Sequence, residues 1–597
     1  MEYYCNPINV TYRYQFNRDV YGSGEIQVAR EAADPSMITF QGTYYIFASM
    51  TLGVWSSDDM VHWDYHRLPD NLPLYDYAPD VRVIGDYVYF SASKRGEPCD
   101  FYRTKDVVNG PYEKIEGTFD FWDPNLFVDE DGRVYFYWGC SNNTPIYGVE
   151  MNPETMRPLG EPKGLIEGKP YTQGYERVGE DNAILPLQGE ELEEAFQDFV
   201  RRAGGKLEEI PKELQGMMKS FVSKAPFIEG AWMDKFQGKY YLQYAFSGAE
   251  YNVYGDGVYV SDSPLGPFTL AENNPYSYKP GGFLPGAGHG STMQDKNGNL
   301  WHAATMRISV NHSMERRVGL WPAGMDADGE LFCNQRYGDW PCAVEQAEMD
   351  PWRDPEWYLL SYGKTVTASS MEEGKGPELA VNENVQNWWR AADCKPGEWL
   401  LLDLGKVYDV HAVQVNFADD HIDIPVPGEI VEITQPRYIE EHPHVTRFTV
   451  EGSADGETYR MLWDQSETET DLPHSLKVWE SGEQVRFLKL TILEIPYGLN
   501  PCISGFRVFG KGDGAKPEAP EFTAVRTNGI DMEVDIAPTD AMGYNILWGS
   551  APEKLYHSYL LFGTKQRVGA LVEGREYYVR VDAFNENGIT EGTVKKL

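Results

Sequence analysis

Three acidic residues share one local setting. Asp34 in REAADPSM, Asp123 in FWDPNLF and Glu229 in FIEGAWM each precede a Pro or a Gly, and each stands just before or on the first strand of a predicted hairpin. Two carboxylates facing one pocket can divide proton work between them. The ionised one takes a proton from water as general base, and the protonated one gives a proton to a leaving group. The apolar flank of Glu229, formed by Ile228 and Ala231-Trp232, suits a proton donor. For Asp34 and Asp123, read alone, an Asx turn that starts a strand is the plainer account. Glu176 and Glu180 in YERVGEDN are rival acids, and Asp80 in YAPDV reads as a turn holder.

Residues so far apart in the chain need a repeat to bring them together. Five segments share a short strand, a polar or Gly turn and a strand rich in Tyr and Phe. They are MITFQGTYYIFAS from Met37, VRVIGDYVYFSAS from Val81, LFVDEDGRVYFYWG from Leu126, WMDKFQGKYYLQYAFSG from Trp232 and TMQDKNGNLWHAAT from Thr292. Gly, Asn and Asp in the turns supply positive φ at low cost. Closing strands such as VWSSDDMVHWDYHRL follow. Five units of four strands predict an all-β five-bladed β-propeller over residues 1–350, rather than unrelated hairpins in a sandwich. A propeller gathers the starts of its first strands around one cavity, where the three acids would meet.

One stretch breaks the β pattern. Leu192, Ala195, Phe196, Phe199, Val200 and Ala203 follow helical spacing, and after Gly204-Gly205 so do Leu207, Ile210, Leu214, Met217, Met218 and Phe221. A helical hairpin is predicted at about 188–225, running directly into the strand of Glu229. It reads equally as a lid or subsite wall and as a packing or dimer element.

Composition narrows the partners. Lys plus Arg is 52 against 92 Asp plus Glu, a net charge of −40, and aromatic residues make up 14% of 597. So acidic a surface repels phosphate, which makes nucleic acid and anionic membrane poor partners. No run of 18 apolar residues is present to span a bilayer. Abundant aromatics suit a neutral, flat-faced ligand such as sugar. Seven scattered cysteines without CxxC spacing predict neither a disulfide framework nor a zinc site, and fit a reduced compartment best. The N-terminus, MEYYCNPINVTYRYQF, reads without a signal peptide. The compartment is left open between the cytoplasm and a secreted or periplasmic protein whose signal has been removed, and the oligomeric state is open too.

Beyond Ser361 the texture changes. GKTVTASS, NWWRAADCKPGEWLLLDLGKVYDVHAVQVNFAD, RFTVEGSADGETYRML and SGFRVFGKG resemble a discoidin-like (coagulation factor 5/8 type C) β-sandwich, carried by Asp403-Leu404-Gly405 and by Ser453 to Gly456 and assigned to residues 351–512. Trp388 and Trp389 read as core more than as a sugar platform. After the linker GDGAKPEAP, residues 513–597 resemble a fibronectin type III sandwich, read as a spacer without chemistry.

Taken in order, REAADP, YAPDV, a DP followed by a DEDG turn, an EG before a Tyr-rich hairpin, and GHGS resemble glycoside hydrolase family 43 over about residues 5–340. The resemblance implies a five-bladed propeller and an inverting glycosidase. It implies Asp34 as general base, Glu229 as general acid and Asp123 as the carboxylate that orients the acid. It puts His289 of GAGHGST near the propeller axis, where relatives hold a calcium ion or a water cluster, with no cofactor required for the chemistry. Trp55, Tyr77 and Trp122 are candidates for stacking on a sugar face, although each reads more readily as core. Arg307, Arg316 and Arg317 lie on the last blade, where relatives often reach the sugar with an Arg; Arg307 is the candidate carried forward. The sequence departs from the family's pattern at Tyr77 (usually Trp), at Ala231 (usually Pro) and in the helical insert. The implied activity is exo-hydrolysis of terminal furanosides or xylosides of an oligosaccharide or polysaccharide: arabinofuranosidase, xylosidase or galactofuranosidase. The alternative is a glycan-binding propeller that has lost catalysis.

Overall fold

A computed structural model of the chain describes every residue except 20–22, 95, 116, 203, 346 and 434; Ala203, counted above in the helical spacing, lies outside the described residues. The protein is all-β apart from two α-helices among those residues and a few single turns of 3-10 helix.

Five four-stranded antiparallel sheets follow one another in the chain. Their first strands are Ala33–Phe40, Asp80–Ile84, Asn125–Val128, Phe227–Phe236 and Gly288–Gln294. The turn chemistry explains the tight hairpins. Gln41-Gly42 and Gln237-Gly238 both take positive φ, 50° and 84° in the first pair and 51° and 80° in the second, which matches the twist of the strands they join. Each first strand packs against the first strands of the sheets before and after it, and the fifth returns to the first, so the five form a closed ring.

Polar side chains near the start of these strands tie the ring together. Ser36 Oγ accepts from the Val81 backbone N–H at 3.1 Å. Asp80 accepts from Asn125 Nδ2 at 2.9 Å and from the Leu126 N–H at 2.7 Å. Asn125 Oδ1 accepts from the Met233 N–H at 2.8 Å, and Ser291 Oγ from the Met37 N–H at 3.0 Å. All but the Asn125 Nδ2 bond satisfy a buried backbone donor of the next sheet. Asp80 is therefore a strut between sheets, and its burial pushes the carboxyl up to about 6.

The insert forms helices α1 (Gly189–Arg202) and α2 (Lys212–Val222), which pack on each other. On α1, Phe196 and Val200 are buried, one turn apart, while Phe199 faces solvent. The second run is shorter than its spacing predicts. Leu207 lies in a separate 3-10 turn, because Pro211 holds Ile210 extended and the helix can begin only after it.

Strands from Tyr358–Leu359 to Cys502–Lys511 form an eight-stranded assembly, and two smaller sheets follow between Phe522–Arg526 and Lys595–Lys596. Trp388 and Trp389 are buried, at 2% and 0% exposure, and offer no sugar platform. One connection was not expected. Arg437–Ile439 leaves its own assembly and adds a third strand to the hairpin of Arg13–Arg18 and Ile26–Glu31, with Asn17 opposite Arg437 and Gln15 opposite Ile439. The last unit is fastened as well: the Arg177 guanidinium bonds Asp531 in a buried pair.

Candidate active site

At one equivalent place in every sheet of the ring the chain turns left-handed. The residues are Asp34 (φ 52°), Ala78 (54°), Asp123 (50°), Gly230 (58°) and His289 (48°). In the first, fourth and fifth sheets the strand register also slips there. A bulge of this kind re-aims a side chain out of the alternating pattern. Left-handed backbone is costly for residues other than Gly, and strain of this sort concentrates at functional sites. Asp256 holds the last of these turns. Its carboxylate accepts the His289 N–H at 2.7 Å and the Gly290 N–H at 3.0 Å, and contacts His302 Nε2 at 2.9 Å.

The bulges bring Asp34, Asp123 and Glu229 together around His289. His289 Nδ1 lies 3.4 Å from Asp34 and 3.8 Å from Asp123. A donor atom each from Asp123, Cys140 and Glu229 lie within 4.8 Å of one another. The His289 ring packs directly over Gly230, where any Cβ would collide with it at 2.7 Å, so the glycine after Glu229 is a steric requirement.

Asp34 is built to be an anion. Ser49 Oγ donates to Oδ2 at 2.6 Å, and Arg316 Nη1 lies 3.3 Å from Oδ1. Its own N–H donates to Thr305 Oγ1 at 2.8 Å. Burial alone would raise this carboxyl; the Arg316 guanidinium, His289 and the hydroxyls of Ser49 and Thr305 outweigh it and hold the group below the usual aspartate range. His289 responds in the opposite sense. Burial disfavours its charge, but Asp34, Asp123, Glu229 and Asp256 together favour the imidazolium.

Glu229 is more exposed and more loosely held. Tyr254 donates to Oε1 at 2.5 Å, and Cys140 Sγ lies 3.1 Å from Oε2. Burial, and then the Glu229 charge itself, push the Tyr254 phenol well up, so the hydroxyl stays protonated. A hydroxyl both donates and accepts, so the contact persists whichever protonation state Glu229 adopts. Cys140 reaches this place because Ser141 and Ile228 exchange backbone hydrogen bonds, at 3.2 and 3.0 Å, between the third and fourth sheets.

The remaining candidates divide. Tyr77 lies at the site, with its ring beneath Arg316 and Arg437, 5.5 and 5.1 Å from their guanidinium carbons. Trp122 is half-buried next to Asp123. Trp55 is not a stacking residue. It is 1% exposed, among Tyr12, Tyr44 and Trp301, because it belongs to the third strand of its sheet, Gly53–Ser57, whereas the ring is lined by first strands. The guanidinium of Arg307, the candidate sugar contact, pairs with Glu180, whereas Arg316 of the neighbouring strand pairs with Asp34. Glu180 is thereby a counter-ion rather than a rival acid. Glu176 is buried and accepts from the Tyr244 hydroxyl at 2.6 Å. Tyr244 points away from the face shared by Ala245 and Glu229, and burial pushes Glu176 up to about 7. His289 brings one imidazole together with the carboxylates of Asp34 and Asp123, fewer oxygens than the about six to eight that calcium takes. Cys140 and Tyr254 escaped sequence reasoning, since neither opens a repeat.

Similarity to known proteins covers the sheets that carry this site. The model of the family "Glycosyl hydrolases family 43" matches residues 28–180 and 200–331; the gap falls largely on α1. A xylosidase/arabinosidase 43A of Humicola insolens is 30% identical over 214 residues, which is 32% of this chain and 56% of the relative. An extracellular endo-alpha-(1->5)-L-arabinanase 2 of Bacillus subtilis (strain 168) is 27% identical over 197 residues, 25% of this chain and 42% of the relative. A beta-xylosidase of Xylanibacter ruminicola is 25% identical over 279 residues, 40% of this chain and 77% of the relative. The chain thus spans about half the length of the first two relatives.

Proposed function

We propose that the protein, whose residues 28–180 and 200–331 match the model of glycosyl hydrolases family 43, is a member of that family and an inverting exo-glycosidase acting on terminal furanosides or xylosides of a glycan. The five sheets are then the blades of a propeller. Residues 351–512 are read as a discoidin-like sandwich and 513–597 as a fibronectin type III-like one. The observation that carries the reading is the convergence of three carboxylates from three sheets on His289, with one of them held ionised by Arg316.

In this mechanism Asp34 accepts a proton from the water that attacks the anomeric carbon. Glu229 gives its proton to the leaving oxygen on the opposite face of the ring. Asp123, beside Glu229, orients the acid. His289 lies between Asp34 and Asp123, and the carboxylates around it favour its protonated form, which would keep the crowded negative charges compatible. A screen of p-nitrophenyl pentosides and hexofuranosides, with proton NMR of the first sugar released, tests the reading. We expect one pentoside or furanoside to be cleaved with the anomer inverted. Binding of glycan without release, or release of the retained anomer, would overturn it.

Contacts of the insert support a place for the leaving group. Phe227 shares a strand face with Glu229, and its ring lies 6.3 Å from that of Phe221 on α2, which is 60% exposed. Asn142, two residues after Cys140, bonds the Ser220 carbonyl at 2.9 Å and so fixes the end of α2 beside the acid. These aromatics extend from the proton donor along the side where the departing sugar chain must lie. Phe221→Ala should raise KM for oligosaccharides roughly three- to tenfold, the worth of one aromatic contact. On aryl glycosides, which carry no sugar chain on that side, it should leave kcat/KM nearly unchanged.

A further inference from the structure

The three-stranded hairpin that Arg437–Ile439 completes ends at Glu31, three residues before Asp34. Four charged side chains of alternating sign run inward from it. Arg437 Nη1 donates to Glu31 Oε2 at 2.9 Å, Arg316 Nε donates to Glu31 Oε1 at 3.2 Å, and Arg316 Nη1 reaches Asp34 at 3.3 Å. None of the four side chains is more than 5% exposed. The other nitrogen of the Arg437 fork bonds the Tyr77 hydroxyl and, at 2.9 Å, Gln435 Oε1, while Tyr77 donates to Gln435 at 2.7 Å. The Tyr that departs from the family's pattern is thus one of the residues that fasten this segment, and its hydroxyl makes the bond.

We propose that the unit carrying Arg437 is part of the catalytic machinery, with Arg437 a positioning residue that acts on Asp34 through Glu31 and Arg316. The proposal rests on the reading of Asp34 as the base. Glu31 divides its charge between two guanidiniums. Without Arg437 it would draw Arg316 toward itself and leave Asp34 with less positive charge. Without the Glu31 charge, Arg316 would face Asp34 alone. Salt and solvent screen such a buried chain weakly. The other groups facing it are His289 and Tyr254 on the Asp34 side, and Tyr77 and the half-enclosed His312 beside Glu31, Arg316 and Arg437. Burial lowers His312 from the ordinary histidine value, against the pull of Glu31.

The test is the acid limb of kcat/KM in the full-length protein. Arg437→Met should move the limb up by about half to one pH unit, and Glu31→Gln should move it down by a comparable amount. Arg437→Lys, which restores the charge without the fork, should bring the limb part of the way back. Opposed shifts are the expected result, because a merely structural role would not give the two variants opposite signs. Limbs that stay at the wild-type position, or that move the same way, would overturn the proposal. If Arg437→Met fails to fold, Glu31→Gln and Arg437→Lys against wild type still decide it: the first must move the limb down and the second must not lie below wild type. Asp34→Asn is assayed alongside. Near wild-type turnover in that variant would sink the base assignment itself, a failure distinct from unmoved limbs in a protein that Asp34→Asn inactivates.

Discussion

Asp34→Asn should lower turnover on every substrate, reducing kcat by about 10²–10⁴-fold, the usual worth of a general base. An amide matches the carboxylate in shape but cannot accept the proton that water must lose. The loss should be equal for good and poor leaving groups, because water is activated in the same way for both. The fold should survive. Ser49 can still donate to the side-chain oxygen, and Arg316 keeps its pair with Glu31. Thermal unfolding should therefore place the variant's midpoint within a few degrees of wild type. In the wild-type protein the same environment sets the acid limb. A base whose carboxyl is held down by Arg316 and His289 against the cost of burial stays ionised to lower pH, so the rise of kcat/KM should lie below about pH 4, the ordinary aspartate value. A limb well above that pH, or Asp34→Asn retaining near wild-type turnover, contradicts the assignment.

Glu229→Gln should fail selectively. Its proton is needed only where the departing oxygen cannot leave as an anion. With an alkyl or sugar leaving group the loss should be about 10²–10⁴-fold, and with a dinitrophenyl leaving group far smaller. The ratio of the two rates is the measurement, since it separates a proton donor from a residue that merely binds substrate. Gln also preserves the bond from Tyr254 and the contact with Cys140, so a general loosening of the site would not explain a selective loss. Equal loss on both leaving groups would remove Glu229 from the acid role.

Much of this site was legible because its causes are local. Gln41-Gly42 and Gln237-Gly238 mark their hairpins by turn chemistry, and the Tyr- and Phe-rich alternation marks the strands beside them. Asp34 and Asp123 could be picked out because each opens a repeat, and His289 because of the GHGS motif that the family resemblance supplied. The helical spacing of the insert was equally readable, although Pro211 cut its second run short. Trp55 misled because an aromatic in a repeat gives no sign of which strand faces the axis.

By itself the amino-acid sequence determined the all-β character, the repeating hairpins and the three carboxylates, since turn propensity, alternation and repeat position act over a few residues. Only the tertiary structure decided that Arg316 pairs with Asp34, that Cys140 and Tyr254 hold Glu229, and that Arg437 joins the ion-pair chain to Asp34 from some four hundred residues away. None of those partners lies on a first strand of the five sheets. Their meeting depends on closure of the ring and on a strand donated across units, and the long-range electrostatics that follow have no signature in local spacing.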